Sequence, residues 1–166
     1  MRRKQLVLMT ATTITALFIF AGCAGLIGMF SPTVDIEIGR THLTQWFNFT
    51  IHSAEVVDEY GGRRVAPGHQ LWLVDITQTG TFHEPVPMFV FDWFMDDDSF
   101  RAYLWPLPQF EGHDEMMPDE FWLPRGRSER HIMLFEVPIE TTNLTLNFLE
   151  INEDDVEGTR FTLSLQ

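Results

Sequence analysis

The chain has one cysteine in 166 residues, Cys23. An intramolecular disulfide is therefore excluded, and with it the cross-links on which many small secreted domains depend. Lysine is equally scarce: none follows Lys4, and every later cation is an arginine. Positive charge as a whole is short, with 11 Lys and Arg against 24 Asp and Glu, a net charge of −13. That deficit argues against nucleic acid, whose phosphates would be repelled, and against peripheral binding to anionic lipid. Apolar residues at the spacing i, i+3, i+4, i+7 are missing, so amphipathic helices are not expected. Catalytic signatures are missing too. There is no Gly-x-Ser-x-Gly elbow, Ser53, Ser99, Ser128 and Ser164 have no triad context, and the six histidines follow no His-Glu-x-x-His spacing. Neither an enzyme nor a cofactor is expected.

The N-terminus is informative by contrast. Arg2, Arg3 and Lys4 precede an apolar run from Leu6 to Phe20 whose only polar residues are threonines. This is the layout of a signal peptide. It closes on Ile19-Phe20-Ala21-Gly22-Cys23, which resembles a bacterial lipobox, with Phe20 where that pattern favours leucine. The resemblance implies cleavage before Cys23, with a diacylglycerol on its thiol and fatty acyl chains such as palmitate in the membrane. The expected division is a signal peptide over 1–22, a lipidated cysteine and tether over 23–32, and a domain over 33–166. Two alternatives stand beside it. Cleavage after Ala24 would give a secreted protein without lipid. The uncharged run 6–30 is also long enough to stay as a membrane anchor, with Arg2 to Lys4 on the cytoplasmic side. All three put the domain outside the cytoplasm, and the first places it on the outer face of the cell membrane. Residues 23–166 keep 8 arginines against 24 carboxylates, a net charge of −16.

Beyond the tether the apolar period is two. Strands are expected over 33–38, 45–57, 70–78, 86–95, 99–105, 128–137, 143–151 and 159–165, with Val34, Ile36 and Ile38 sharing a face. The segment 45–57 alternates Phe47, Phe49 and Ile51 with Trp46, Asn48 and Thr50, and carries room for an irregularity. Turn signals lie at 59–68, at Asp96-Asp97-Asp98, at 138–140 and at 152–158, and an irregular loop at 106–126. Seven to eight half-polar strands without helices predict an all-β fold, an antiparallel immunoglobulin-like β-sandwich. Five Trp and 15 Phe supply its core, since each aromatic buries about 150–250 Å². Trp72, Val74, Ile76, Met133, Phe135, Val137, Phe161, Leu163 and Leu165 are the expected core residues.

Three stretches resemble one family in order. They are Trp46-Phe47 to Ala54-Glu55, then Ala66-Pro67-Gly68 running into Trp72-Leu73-Val74-Asp75-Ile76-Thr77, then Gly126 followed by Phe135-Glu136-Val137-Pro138. The family is the telokin-like, immunoglobulin-like domain of Gram-positive lipoproteins and secreted proteins, whose function is not known. The resemblance covers about residues 35 to 166. It implies the sandwich and an extracytoplasmic location, and it carries no catalytic residue. Where that family has an Asn-Thr-Gly-like turn, this chain has Gln78-Thr79-Gly80.

Two functional candidates lie in the 106–126 region. Trp105, Phe110, Phe121 and Trp122, with Pro106, Pro108 and Pro118, would make an amphipathic recognition surface for a protein or small ligand. Glu111, His113, Asp114 and Glu115, with Met116 and Met117 alongside, gather groups that suit a divalent cation, though without defined ligand spacing. Asp96-Asp97-Asp98 and Asn152–Gly158 lack the alternation of a Ca²⁺ loop. The expectation is a membrane-anchored, non-enzymatic binding or interaction module, with extracytoplasmic cation binding as the alternative.

Overall fold

In the computed structural model of the protein, residues 32–97, 103–151 and 157–165 are described. Cys23, the lipobox, the run 6–30, residues 98–102 and residues 152–156 lie outside them.

The strands are β1 (Thr33–Asp35), β2 (Thr41–Leu43), β3 (Phe47–Val57), β4 (Glu59–Tyr60), β5 (Arg63–Arg64), β6 (His69–Gly80), β7 (Val86–Phe89), β8 (Trp93–Asp96), β9 (Glu120–Leu123), β10 (Ser128–Pro138), β11 (Thr145–Ile151) and β12 (Glu157–Ser164). Eight of them build two four-stranded sheets, ordered β1-β12-β11-β8 and β10-β6-β3-β2. The ribbons β4-β5 and β7-β9 complete the set. The fold is an all-β sandwich, as the period of two requires.

The alternating rows close on one another across the interior. Phe47, Phe49 and Ile51 are buried on β3. The Phe49 ring lies 5.2 Å from Trp93, 5.4 Å from Phe161 and 6.1 Å from Phe148, all three from the opposite sheet. Edge-to-face pairs of this kind add to the burial itself. All nine expected core residues are buried, Trp72, Leu163 and Leu165 at 7% exposure and the rest lower. The irregularity on β3 is a bulge between Ile51 and Ser53.

Several expectations need correction. Only Ile36 of the Val34–Ile36–Ile38 row is buried, because β1 ends at Asp35 and Ile38 sits in a turn. β1 pairs with β12 in parallel, so the sandwich is not wholly antiparallel. The segment 86–95 is two strands, split by a 3₁₀ turn over Val90–Asp92. Inward residues are 86, 88 and 90 before that turn and 93 and 95 after it, so the turn shifts the phase by one residue. Of the expected strand 99–105, residues 99–102 lie outside the described residues, and among 103–105 Leu104 alone pairs, with Met95. Strand β2 was not expected, and neither was β9 inside the supposed loop. Gln78-Thr79-Gly80 is no turn but the end of β6. A Cβ on Gly80 would lie 2.3 Å from the Pro124 oxygen, so only glycine lets this strand end pass under the 124–127 turn.

Candidate functional site

The 106–126 region divides into an inward part and an outward part. The inward part runs beside β10 and covers its open edge. Leu107 N–H donates to the Leu134 carbonyl (2.7 Å), Met117 N–H to the Ile132 carbonyl (2.9 Å), and Ile132 N–H to the Glu115 carbonyl (2.8 Å). Unpaired strand edges invite intermolecular pairing, and these bonds remove one. Met117 joins the main core. Met116 joins a second cluster with Leu71 and Leu134, on which Leu107 and Phe110 pack. Phe110 also receives the Arg63 guanidinium 5.5 Å above its ring.

The four predicted recognition aromatics therefore do not share one surface. Phe110 belongs to the second cluster. Phe121 is turned inward on β9, half-buried, with its ring 4.8 Å from His131. Trp122 points outward from the same strand, and Trp105 lies outward beside β8. What surrounds these two was not foreseen. The exposed aromatics among the described residues are Phe89, Phe91, Tyr103, Trp105 and Trp122, and all five come from the β7–β8 and 103–105 segments and β9.

Two groups result. On the outer face of the β7-β9 ribbon, Trp122 is opposite Pro87 and Glu120 is opposite Phe89, all four exposed. On the outer face of β8, Phe94 is nearly covered by Tyr103 (4.8 Å) and Trp105 (5.8 Å). Tyr103 and Trp105 are 6.1 Å apart, and Phe91 reaches Trp105 at 6.4 Å. The 3₁₀ turn joins the groups, since only Val90 separates Phe89 from Phe91. It is held by Val90 N–H donating to the Asp119 carbonyl at 3.1 Å. Paired Met95 and Leu104 backbones (2.7 and 2.8 Å) fix residues 103–105 to β8. The rings thus stand on regular structure.

Carboxylates accompany them. Burial within the 3₁₀ turn pushes the Asp92 carboxyl up to about 6, against the lowering effect of a Phe89 backbone hydrogen bond. Asp96, beside Phe94 on β8, is buried and accepts from the Thr145 hydroxyl (2.5 Å) and the Asn147 amide (3.2 Å).

The metal candidates are arranged differently. His113 Nδ1 and Glu115 Oε1 are 2.9 Å apart, and the Tyr60 hydroxyl donates to the same oxygen at 2.7 Å. These two hydrogen bonds hold the Glu115 carboxyl down at about 2. Burial and Glu115 together push the Tyr60 hydroxyl up to about 12. Glu111 and Asp114 are exposed, and among the described residues no three His, Cys, Asp or Glu side chains converge as a metal site requires. Tyr60, absent from the sequence reading, ties this loop to the β4-β5 hairpin.

Sequence reasoning missed Phe89, Phe91 and Tyr103. A signal was there: Tyr103 and Trp105 alternate, as do Phe89 and Phe91. The unforeseen 3₁₀ turn hid which side they face.

No protein-family model matches the chain, and no curated protein sequence matches it. Solved structures do. The chain is similar to the yjhA protein of Bacillus subtilis, at 14% identity and a TM-score of 0.57, over 79% of this chain and 99% of that one. It is similar to ycdA, a candidate lipoprotein of Bacillus subtilis, at 11% identity and a TM-score of 0.61, over 78% of this chain and 39% of that one. A third likeness is to MPT63, a secreted protein of Mycobacterium tuberculosis, at 14% identity and a TM-score of 0.53, over 80% of this chain and 97% of that one. At such identities the likeness shows the β-sandwich fold and carries no function with it.

Proposed function

We propose that the protein is a lipid-anchored, extracytoplasmic β-sandwich of the telokin-like kind, acting as a non-enzymatic interaction module. One observation carries the binding part: the exposed rings of Phe91 and Tyr103 both meet that of exposed Trp105, over the outer face of β8 beside the 3₁₀ turn. Solvent-exposed Trp, Tyr and Phe in a contiguous group are unusual on a free surface and typical of recognition sites. A rigid sheet beneath them limits the ordering cost of binding. The location rests on the N-terminal lipobox-like run and agrees with the candidate-lipoprotein and secreted neighbours. No observation favours the alternative, a divalent cation at Glu111, His113, Asp114 and Glu115, over this reading.

The test is capture from envelope extracts on immobilised full-length protein. Trp105→Ala should abolish specific capture, and the same retained set with Trp105→Ala would overturn the reading. For the anchor, mass spectrometry of the membrane-extracted protein should find an acylated N-terminal Cys23. An intact Met1–Lys4 terminus would overturn it in favour of the uncleaved span.

A further inference from the structure

Among the described residues, the buried side-chain atoms without a hydrogen-bond partner in the protein are Oε1 and Nε2 of Gln78, Nδ1 of His131, and the indole nitrogens of Trp72 and Trp93. Gln78 and His131 lie together. His131 is the cross-strand partner of Ile76, and Gln78 is two residues further along the same inner face of β6, so the two are diagonal neighbours. Gln78 is fully buried, although its carboxamide can donate twice and accept twice. The β7-β9 ribbon lies over His131, with the Phe121 ring 4.8 Å from the imidazole. It meets β6 again at Gly80, which bridges to Arg125. Among the described residues neither strand of this ribbon pairs with a four-stranded sheet. Side-chain packing holds its length down: Met88 and Leu123 are core, and Val86 and Phe121 pack against that core. Backbone bonds pin β9 near both ends, Met117 N–H to the Ile132 carbonyl (2.9 Å) and Gly126 N–H to the Gly80 carbonyl (2.8 Å).

We infer that the β7-β9 ribbon is an acid-opened flap: protonation of His131 frees it from the face of β10 and β6 beneath, and water then reaches Gln78. This stands apart from the interaction-module reading. In the closed ribbon the imidazole rests on Phe121, and no acceptor meets its Nδ1. An imidazolium carries N–H on both ring nitrogens and a charge besides. β6 meets it with Ile76 and Gln78 and β9 with Phe121, none of them charged, while Glu120 is on the outer face of the ribbon. Glu129, two residues away on β10, favours the charged form, but Arg127 engages it. Burial outweighs Glu129 and holds the imidazole below its ordinary 6.5. The closed ribbon therefore has its full stability above 6.5 and loses it as pH falls further. Gln78 acts in the same direction at every pH. Its carboxamide gains water only when the ribbon lifts, which lowers the cost of lifting it. Because β9 is pinned near both ends, the opening is local.

The test is hydrogen exchange of the full-length protein in a neutral detergent, read as protection factors for β7, β9 and β12 at about pH 7.5 and about pH 5. Protection in β7 and β9 should fall about fivefold or more on acidification, while β12 holds. His131→Leu and His131→Gln, neither of which titrates, should each abolish the fall. Gln78→Met should raise protection of the ribbon at both pH values and leave the fall in place. Asp92→Asn should keep the fall too, because burial raises the Asp92 carboxyl and gives it the opposite sign. Urea midpoints at the higher pH confirm that each variant is folded. The inference fails if protection of the ribbon does not fall, or if β12 falls with it, as in global unfolding. It fails equally if the fall persists in a folded His131 variant, or if Gln78→Met leaves the ribbon no better protected.

Discussion

Two segments that each lie along a sheet edge meet opposite fates in this protein. Residues 107–117 and residues 89–105 both carry carboxylates and apolar side chains, the second far more aromatic than the first. The first lies along the edge of β10, bonds to it through backbone, and turns Met116, Met117 and Phe110 inward. The second is also fixed by backbone bonds, at Val90 and Leu104, yet Phe89, Phe91, Tyr103 and Trp105 stay exposed while Trp93 is buried in the core. Aromatic content alone would predict the reverse; the availability of a second apolar layer decides. Above β10 and β6, Leu71, Leu73, Ile132 and Leu134 offer a face for the loop to cover. On the outer face of β8 the neighbours are Asp96, Asn147 and Thr162, joined in a polar ladder, and Phe94 alone is available for covering.

This contrast can be broken most violently at Met117. Met117→Asp should cost on the order of 4 kcal/mol in urea unfolding, by burying an unpaired charge. Trp105→Asp should stay within about 1 kcal/mol, and an equal loss at both sites would mean that Trp105 is structural. Gly80→Ala should come next, at roughly 2–4 kcal/mol, since the Pro124 carbonyl cannot yield without moving the 124–127 turn. Phe110→Ala should cost about 1–2 kcal/mol through lost burial and the Arg63 contact. Measured values below that would place Phe110 with the outward rings.

The pH dependence sharpens the contrast with opposite signs. Asp92 has its folded pKa raised to about 6 from 3.8, so folding takes up a proton between these values and stability falls as pH rises through them. Discounted for partial exposure, the effect is about 1–2 kcal/mol. Asp92→Asn should flatten that limb. Glu115 has its folded pKa lowered to about 2 from 4.5, so its contribution is complete above pH 4.5 and is lost as pH falls toward 2. Glu115→Gln should lower stability above pH 4.5 and flatten that acidic limb, in both respects only slightly, because the group is exposed. Thermal melts between pH 2 and 7 would reveal a swap of limbs, and such a swap would refute the assignment of both groups.

The sandwich was legible because burial on one face of a sheet imposes a period of two. Trp72-Val74-Ile76 and Met133-Phe135-Val137 carry it without interruption, and all are buried. Legibility ended where the period changed phase. In 86–95 the 3₁₀ turn inserts one residue, and inside and outside exchange after Asp92. Nothing local to Phe89 or Phe91 announces this, because the turn is held from outside by the Asp119 carbonyl, nearly thirty residues later. The β10 edge cover was illegible for the same kind of reason. Its bonds run from Leu107 and Met117 to a strand reached only after β9. Trp105 and Trp122 were identifiable as candidates, whereas their companions required the fold.

The parallel pairing of β1 with β12 has a mechanical consequence. Thr33 lies beside Arg160 and Asp35 beside Thr162, with Ile36 N–H extending the ladder to the Thr162 carbonyl. The chain therefore enters at one end of this ladder and leaves, past Ser164, at the other. A pull on residue 33 against residue 165 would load every rung at once, in shear, where an antiparallel first strand would unzip rung by rung. A domain held at its N-terminus and drawn upon from its far side would thus meet the force with its strongest geometry, through a strand only three residues long.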